Sequence, residues 1–341
     1  MRTQEKETAE SPTFHNGQLA FEQLAATLRA QIEAGLSAIV PSTPTLLYAP
    51  VRYMVDAGGK RVRPLLVGLA ALASDASNES WLPSAIAVEL LHTFTLVHDD
   101  IMDNADTRRG TPTVHIKFGR DAAILSGDVM IAVALEALAR SKSNTRELLS
   151  EFALGFKRVC EGQALDKEFE TRNDIRLVDY EEMILLKTAS IIELAATLGA
   201  WSSGGKYVEE LRAFARHTGM AFQVLDDLLD LTADHASFGK TIGGDILEGK
   251  RTFLYVEAME HYPKLEPEAK ALMDRIGNRL ATTEDVVLAE RLFEDIGILR
   301  ETRRRIELET EKAQEALSAM PKGEHRDHLH RFSDYLLGRA T

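Results

Sequence analysis

The stretch Leu96-Val97-His98-Asp99-Asp100-Ile101-Met102-Asp103 sets three carboxylates within five residues at the end of an apolar, helix-patterned run. On a helix, Asp99 and Asp103 lie one turn apart on the same face, with their Cβ atoms roughly 5–6 Å from each other. Like charges this close require a cation. Carboxylate oxygens without a nearby cysteine suit a hard ion, and Mg²⁺ is usually held by one or two carboxylates together with substrate phosphates. The stretch therefore predicts a magnesium site and a phosphorylated ligand.

The same spacing returns further along the chain. Residues 221–230 form a second apolar helix pattern, and Asp226, Asp227 and Asp230 stand at its end. One such cluster could be a solvated helix end. Two clusters, each at the end of an apolar helix, are hard to explain as surface charge, so the sequence predicts two acidic half-sites.

Positive charge gathers at several points in this otherwise acidic chain. A glycine pair at 58–59 precedes Lys60, Arg61 and Arg63, and the turn after the first aspartates carries Arg108 and Arg109. Arginine binds phosphate through two parallel hydrogen bonds, and a flexible glycine turn lets a loop gather cations. The alternatives are a solvated basic loop and a local Asp–Arg salt bridge. Metal carboxylates beside paired arginines favour the binding of a polyphosphate.

Other polar residues carry less information when they are taken alone. Lys187 lies in an apolar helix pattern, where a lysine can simply extend its charge to solvent. His92 can be a core histidine, and with Glu89 it forms the Glu-x-x-His spacing of di-iron bundles, but those sites need a second copy and the chain has none. Glycine-rich turns near Lys240 and Lys250 supply further lysines, and Gln163 and Asp166 are ordinary polar residues by themselves.

Composition narrows the class of protein. The chain has 341 residues, of which 45% are hydrophobic and 6% aromatic, which favours close-packed helices in an all-α fold. The net charge of −13 argues against a nucleic-acid partner. A single cysteine, Cys160, excludes an intramolecular disulfide framework and predicts a cytoplasmic protein. No uninterrupted apolar run reaches the roughly 18–20 residues that cross a bilayer, so no transmembrane segment is expected.

The apolar spacing predicts helices along most of the chain. Residues 1–18 lack such periodicity and are predicted to be a disordered tail, while 19–341 form one domain. The predicted helices span 19–40, 46–55 with a bend near Pro50, 64–74, 83 to the first aspartates, 121–141, 145–170, 180–198, the second aspartate segment, 252–262, 265–280, 284–295, 297–319 and 324–338.

Taken together, these residues resemble the trans-isoprenyl diphosphate synthases, which are head-to-tail prenyltransferases. The resemblance covers about 45–340 and rests on motifs that occur in the family's order. They are the Gly-Gly-Lys-x-x-Arg loop, the first aspartate motif with Arg108-Arg109-Gly110, Lys187-Thr188, and the second aspartate motif preceded by Phe222-Gln223. The resemblance implies the isoprenoid synthase fold, a single-domain all-α bundle of about a dozen helices around a deep central cavity. It also implies a homodimer, with the aspartate motifs facing each other across the cavity mouth.

The resemblance further implies a role for each motif residue. Ligands of a cluster of three Mg²⁺ ions would be Asp99, Asp103 and Asp226, with Asp100, Asp227 and Asp230 in supporting roles. The allylic diphosphate, which is a dimethylallyl, geranyl or farnesyl diphosphate, would be bound by Arg108, Lys187, Lys240 and Lys250. The diphosphate of isopentenyl diphosphate would be bound by Lys60, Arg63, His92 and Arg109. Thr188 and Gln223 would lie beside the reacting carbons.

The implied reaction is ionisation of the allylic diphosphate, attack by the alkene of isopentenyl diphosphate, and loss of a proton. In the family, an aromatic residue five positions before the first motif resembles enzymes that make the twenty-carbon geranylgeranyl product. Phe94 holds that position, and Thr95 and Leu91 are the other candidates for limiting chain length. Helix geometry alone puts Thr95 and Leu91 nearer the Asp99 face than Phe94. A farnesyl or a longer polyprenyl product is the alternative.

Two rival functions share part of this pattern. A class I terpene cyclase would share the first aspartate motif, but the basic residues Lys60, Arg63 and Arg109 argue against it. A non-catalytic subunit of a heteromeric prenyl synthase often loses one aspartate motif, and both motifs are intact here.

The chain departs from the family's pattern at one point. Many family members have a proline soon after the position of Thr252, where this chain reads Phe253-Leu254-Tyr255, so a different local helix start is expected.

Overall fold

The structure is a computed structural model that describes residues 12–76, 79–142, 144–172, 174–232 and 243–338. The described residues form helices, apart from loops and one hairpin of two-residue strands, and the prediction of an all-α fold is confirmed. The hairpin pairs β1 (Thr107–Arg108) with β2 (Thr111–Pro112) in antiparallel register.

The helices follow one another closely along the chain. They are α1 (Pro12–Ile39), α2 (Thr45–Asp56), α3 (Val62–Ala73), α4 (Leu82–Met102), α5 (Val114–Phe118), α6 (Arg120–Ala139), α7 (Thr145–Phe169), α8 (Leu177–Ile184), α9 (Ser190–Trp201), α10 (Val208–Thr232), α11 (Gly244–Glu248), α12 (Phe253–His261), α13 (Pro267–Gly277), α14 (Thr283–Asp295), α15 (Ile298–Ser318) and α16 (Glu324–Leu337). A π-helical turn, Leu185–Ala189, joins α8 to α9, and short 3₁₀ turns occupy Glu79–Trp81 and Tyr262–Lys264.

Local sequence explains several helix boundaries. Pro83 lies in the first turn of α4, where its missing N–H costs nothing because no partner exists for it there. Thr252 caps α12 by accepting a hydrogen bond from the N–H of Tyr255, so this helix begins directly at Phe253. Pro50 lies inside α2, where its missing N–H leaves one helical hydrogen bond unmade.

The N-terminal boundary differs from the prediction. Helix α1 begins at Pro12, so the predicted border between a tail of residues 1–18 and a domain from 19 falls inside a helix. The first turns of α1 carry few apolar residues, and hydrophobic periodicity therefore gives no signal there. Residues 1–11 lie outside the described part of the chain.

Two apolar clusters form the interior. The larger joins α1–α4, α6 and α7 to α9 and the first half of α10, and the smaller joins α8 and the second half of α10 to α12–α15. Helix α10 therefore belongs to both clusters, as its buried residues run from Val208 to Leu231. The two aspartate motifs stand at the ends of α4 and α10, which are both anchored in the interior on their apolar faces.

Within the part of the chain that the structure describes, three helical stretches are long and apolar enough to cross a membrane by length and composition: Glu79–Met102, Arg120–Ala139 and Leu177–Trp201. The sequence expectation considered only uninterrupted apolar runs and did not reveal them. Their most apolar windows are 67%, 50% and 78% buried inside the protein, so much of this apolar surface serves the interior.

Helices α3 and α9 pack against each other closely at Gly199. A Cβ atom added there would lie 2.4 Å from the carbonyl oxygen of Val67 and 2.8 Å from Cβ of Ala70. We expect Gly199→Ala to lower the free energy of unfolding by about 1–3 kcal/mol, because two helix backbones must separate. Chemical denaturation measures the change. Gly338→Ala is the control, since no atom lies within 4 Å of its added Cβ, and an equal effect of both substitutions would contradict the expectation.

Candidate active site

The first aspartate motif ends α4 and contains carboxylates in different environments. Asp100 is 2% exposed, and the hairpin returns Arg108 to it, with Nε 2.9 Å and Nη2 2.8 Å from Oδ1. Nε also lies 3.1 Å from Oδ2. Asp99 and Asp103 lie on the more accessible side of the helix. Asp100 thus serves to hold Arg108, while Asp99 and Asp103 lie on the accessible side of α4.

Asp99 lines the cavity beside this motif. The pKa of its carboxyl is raised to about 6, because loss of hydration and the charge of Asp103 outweigh the lowering effect of Lys187 and Arg108. An acid that is difficult to ionise beside other acids is stabilised when a cation arrives. The electrostatics of Asp99 therefore favour binding of a metal ion or another cation at this point.

The second motif contains a carboxylate that is fully engaged by the protein. Asp227 is 5% exposed, and its Oδ2 accepts hydrogen bonds from the hydroxyl of Tyr180 at 2.7 Å and the N–H of Phe253 at 2.8 Å. Its Oδ1 accepts from Nε2 of Gln223 at 2.9 Å. Burial and the nearby charge of Asp245 raise the pKa of Asp227 to about 7, and the three donors act in the opposite direction.

This network reaches the other predicted site residues. The hydroxyl of Thr188 donates to Oε1 of Gln223 at 2.7 Å, so Thr188, Gln223 and Asp227 form one chain of hydrogen bonds. Neither Tyr180 nor the N–H of Phe253 was identified from sequence. A proline at position 253 would lack that donor, so the residue after Thr252 has a direct part in fixing the motif.

Asp230 closes the second motif from the other side. Its carboxylate accepts the N–H of Asp245 at 2.9 Å, and its carbonyl accepts the N–H of Gly243 at 2.7 Å. Lys250 is connected to the same segment, with Nζ 2.9 Å from Asp245 Oδ1 and 3.0 Å from Glu248 Oε2. Lys240, which sequence analysis also assigned to this region, lies outside the described residues.

Lys187 and Thr188 lie in the π-helical turn between α8 and α9, which interrupts the single helix predicted for 180–198. Nζ of Lys187 lies 2.5 Å from Asp166 Oδ2 on α7. Two glycines permit the close approach of this turn. A Cβ on Gly162 would lie 2.2 Å from the backbone nitrogen of Lys187, and a Cβ on Gly219 would lie 2.7 Å from Cα of Ala189. The turn is therefore packed tightly between α7 and α10.

The glycine-rich basic loop contains one buried, structural cation, Arg61, next to an exposed one, Lys60. Arg61 is 5% exposed, and it pairs with Glu89 at 2.6 Å and Glu33 at 2.8 Å, so it anchors the loop between α2 and α3. Lys60 beside it is exposed. Because Glu89 is bound to Arg61, the Glu-x-x-His spacing does not form a di-iron site. No cluster of three or more His, Cys, Asp or Glu side chains suited to a metal occurs within the described residues.

His92 joins the basic residues at the end of this loop. Nη1 of Arg63 lies 3.0 Å from its Nε2, and burial, followed by the charges of Arg63 and Arg109, lowers the pKa of His92 well below its ordinary value. A neutral His92 can accept a hydrogen bond from Arg63 and direct it. Arg109 approaches the same loop, because a Cβ on Gly59 would lie 3.4 Å from its Nη1. The structure thus brings together Arg63, His92 and Arg109 next to Lys60.

A cavity of about 410 Å³ lies beside Asp99, the Arg63–His92 pair and the Lys187-Thr188 turn. Its lining joins polar groups at one end to apolar side chains and comprises Arg63, His92, Phe94, Thr95, Leu96, His98, Asp99, Met102, Val159, Cys160, Gln163, Ala164, Lys167, Lys187, Thr188 and Ile191. Phe94 is in the lining, and its ring packs 5.4 Å from that of Phe156 in a T-shaped arrangement. Leu91 is fully buried and is not part of the lining, because it faces the packed interior behind α4.

Sequence reasoning missed several cavity residues on α7. Gln163 was taken as ordinary, yet both polar atoms of its amide are buried without a hydrogen-bond partner among the described residues. Lys167 was not identified at all. The periodicity of α7 could have found both, since Gln163 lies one helical turn from Asp166 and Lys167 lies one helical turn from Gln163.

Comparison with known proteins identifies the chain as a prenyltransferase. A model of the polyprenyl synthetase family matches residues 44–294, and the chain belongs to that family.

Individual relatives agree with this assignment. The chain is 37% identical over 316 residues to a geranylgeranyl diphosphate synthase of Methanosarcina mazei, covering 91% of this chain and 95% of the relative. It is 35% identical to a geranylfarnesyl diphosphate synthase of Natronomonas pharaonis, with 87% and 91% covered. A polyprenyl synthase of Caulobacter crescentus, solved with calcium and isoprenyl diphosphate, superposes with a TM-score of 0.85 at 30% identity and covers 94% of this chain and 97% of its own.

Substitution of Gly162 tests the importance of the π-helical turn. We expect Gly162→Ala to lower kcat by about tenfold or more with a smaller change in KM, because an added methyl group displaces Lys187 and Thr188 from the reacting groups. Steady-state kinetics measures both constants. Gly155→Ala on the same helix is the control, since its Cβ would meet only the Leu194 side chain. Equal losses of kcat in the two variants would contradict the assignment of this role to the turn.

Proposed function

We propose that this enzyme condenses isopentenyl diphosphate with an allylic diphosphate and releases geranylgeranyl diphosphate. The observation that carries the proposal is the position of Asp99, the Arg63–His92 pair and the Lys187-Thr188 turn around one cavity with an apolar portion. Charged groups can hold the diphosphates while apolar walls hold the growing hydrocarbon. The likeness to a geranylgeranyl diphosphate synthase over nine-tenths of the chain supports the choice of reaction.

The donor atoms of the aspartate motifs fit Mg²⁺, because they are all carboxylate oxygens. Asp100 and Asp227 already accept hydrogen bonds on both oxygens. We therefore assign Asp99, Asp103 and Asp226 as the residues that would hold Mg²⁺, three ions per site, with Asp230 in a supporting role. When bound, Mg²⁺ would supply positive charge for the departing diphosphate. The Caulobacter crescentus relative was solved with calcium, which is also a hard divalent ion.

Two groups of cations would bind the two substrates. Arg108 and Lys187 would hold the diphosphate of the allylic substrate, a dimethylallyl, geranyl or farnesyl group, and Lys240 and Lys250 would assist. Lys60, Arg63, His92 and Arg109 would hold the diphosphate of isopentenyl diphosphate. The neutral state that burial and neighbouring cations impose on His92 supports this division, since it directs Arg63 without adding charge of its own.

The Lys187-Thr188 turn would act near the reacting carbons. Thr188 gives its hydroxyl proton to Gln223, so the lone pairs of its oxygen are free to stabilise an allylic cation. Gln223 keeps this orientation through its bond to Asp227. Apolar side chains such as Ile191 and Val159 exclude water that would quench the cation. The alkene of isopentenyl diphosphate then forms the new carbon–carbon bond, and a proton leaves, with the departed diphosphate as its acceptor.

Chain length is assigned to the apolar portion of the cavity. Phe94 lines it and packs against Phe156, and its ring centroid lies 4.4 Å from that of His98 in a tilted arrangement, so Phe94 would form the floor that stops elongation. Thr95 lines the same wall and bonds the carbonyl of His92 at 2.8 Å. The relative from Natronomonas pharaonis is named for a longer product at similar identity, so identity alone does not select the length.

We also propose a cytoplasmic homodimer. Helix α6 has the highest mean hydropathy of the three long apolar stretches, 1.8, but only half of that window is buried within one chain. Ile124, Leu125 and Leu135 are between 39% and 50% exposed on this helix, and Leu154 of α7 is 44% exposed. A second copy covering these side chains would remove apolar surface from water without a membrane.

The reaction itself is testable with the pure protein. Incubation with Mg²⁺, isopentenyl diphosphate and farnesyl diphosphate should give geranylgeranyl diphosphate, identified by chromatography of the dephosphorylated alcohol. Asp99→Asn and Asp226→Asn should each lower kcat by on the order of 10² or more, because charge stabilisation of the leaving group is lost.

The same assay separates the rival functions. A class I terpene cyclase would release a cyclic hydrocarbon without isopentenyl diphosphate, and a non-catalytic subunit would give no product. Either result contradicts the proposed function.

The floor residue has its own test. Phe94→Ala should shift the products from twenty carbons to twenty-five or more, because removal of the ring extends the apolar cavity. Phe118→Ala is a matched control, since Phe118 is a partly buried aromatic residue outside the cavity lining. Chromatographic sizing of the products of both variants measures the shift. Unchanged products from Phe94→Ala would exclude Phe94 as the floor.

A further inference from the structure

Lys167 connects helix α7 to the first aspartate motif. Its Nζ lies 2.6 Å from Oδ1 of Asp103 and 2.8 Å from Oε1 of Glu170, which is one turn further along α7. The second oxygen of Glu170 lies 2.9 Å from Nη2 of Arg279. The four side chains alternate in charge, in the order Asp103, Lys167, Glu170 and Arg279, and Lys167 lines the cavity beside Asp99.

The ammonium group of Lys167 bonds one oxygen of Asp103, a carboxylate that the proposed function gives to a divalent cation. Burial lowers the pKa of Lys167, but its bonds to Asp103 and Glu170 outweigh that effect and raise the pKa overall, so the side chain stays charged. An ammonium at 2.6 Å and a metal ion on the same carboxylate repel each other. The ammonium and the metal ion therefore compete for Asp103.

Glu170 provides the place to which the ammonium can withdraw. It contacts Nζ already, and Arg279 fixes it from the opposite side. After withdrawal, Lys167 would keep one charged partner, so the movement would cost little. Lys167 can in this way neutralise Asp103 in the absence of metal and still make Asp103 available when a metal ion arrives.

We propose, resting on the function above, that Lys167 is a built-in competitor for the divalent cation at Asp103 and that Glu170 receives its ammonium when the metal binds. Lys167 thereby sets the Mg²⁺ concentration at which the site is filled. It acts through Asp103 and is a positioning residue.

The expected effect is modest, because both partners are accessible. The side chains of Lys167 and Asp103 are 30% and 50% exposed, and ion pairs of this kind are weak. We expect Lys167→Met to lower the Mg²⁺ concentration for half-saturation by about two- to fivefold. Glu170→Gln should raise this Mg²⁺ concentration, because the ammonium of Lys167 then loses Glu170 as a carboxylate partner and keeps Asp103.

The measurement does not require turnover. The melting temperature of the full-length protein is followed while Mg²⁺ is titrated at a fixed concentration of inorganic diphosphate, and the midpoint of the rise gives half-saturation. Lys157→Met is the control, since Lys157 lies on the same helix and its contact with Glu161, at 3.8 Å, is on the surface. Its midpoint should equal that of the unmodified protein.

Opposite shifts in Lys167→Met and Glu170→Gln support the proposal. An unchanged or raised midpoint in Lys167→Met overturns it, and a raised midpoint would mean that Lys167 binds diphosphate directly. If the unmodified protein shows no response to Mg²⁺ with diphosphate, the proposed function fails and this inference fails with it. A normal response in the unmodified protein with no difference in the variants overturns the inference alone.

Discussion

Several carboxylates converge beside one partly apolar cavity, and each of them needs a cation or hydrogen-bond donors to remain there. The structure meets this requirement at three of them. Arg108 neutralises Asp100, Lys167 neutralises Asp103, and three donors surround Asp227. The hairpin after α4, the end of α7 and the start of α12 all lie where these partners are needed. Much of the local architecture around the cavity thus serves the electrostatics of the two motifs.

This arrangement separates aspartates that build the site from aspartates that are available to a ligand. Asp100 and Asp227 are almost fully buried and use both of their oxygens within the protein. Asp99 is the opposite case, because burial without a comparable set of donors raises its pKa to about 6. The aspartates of each Asp-Asp-x-x-Asp motif therefore differ in role, and the second aspartate of each motif, Asp100 or Asp227, is the structural one.

Sequence predicted the elements whose signal is local. Apolar periodicity located the helices, and two acidic clusters with nearby basic loops indicated the position of the site. Contacts between distant segments could not be predicted in this way. The π-helical turn at Lys187 depends on Gly162 and Gly219, which lie on two other helices. Lys167, Tyr180 and the N–H of Phe253 carry no motif, and their roles follow only from what the fold places beside them. Helix geometry ranked Leu91 above Phe94 near the cavity because it could not show which side of α4 is packed.

The central claim is that Asp99, Asp103 and Asp226 hold divalent cations that bind a diphosphate at the mouth of the cavity. The most direct measurement is a crystal structure of the protein with Mg²⁺ and an unreactive thio analogue of farnesyl diphosphate. The claim predicts that oxygens of these three residues coordinate Mg²⁺ ions that also contact the diphosphate, with the hydrocarbon chain directed toward Phe94. Diphosphate bound without contact between Mg²⁺ and either motif would contradict it.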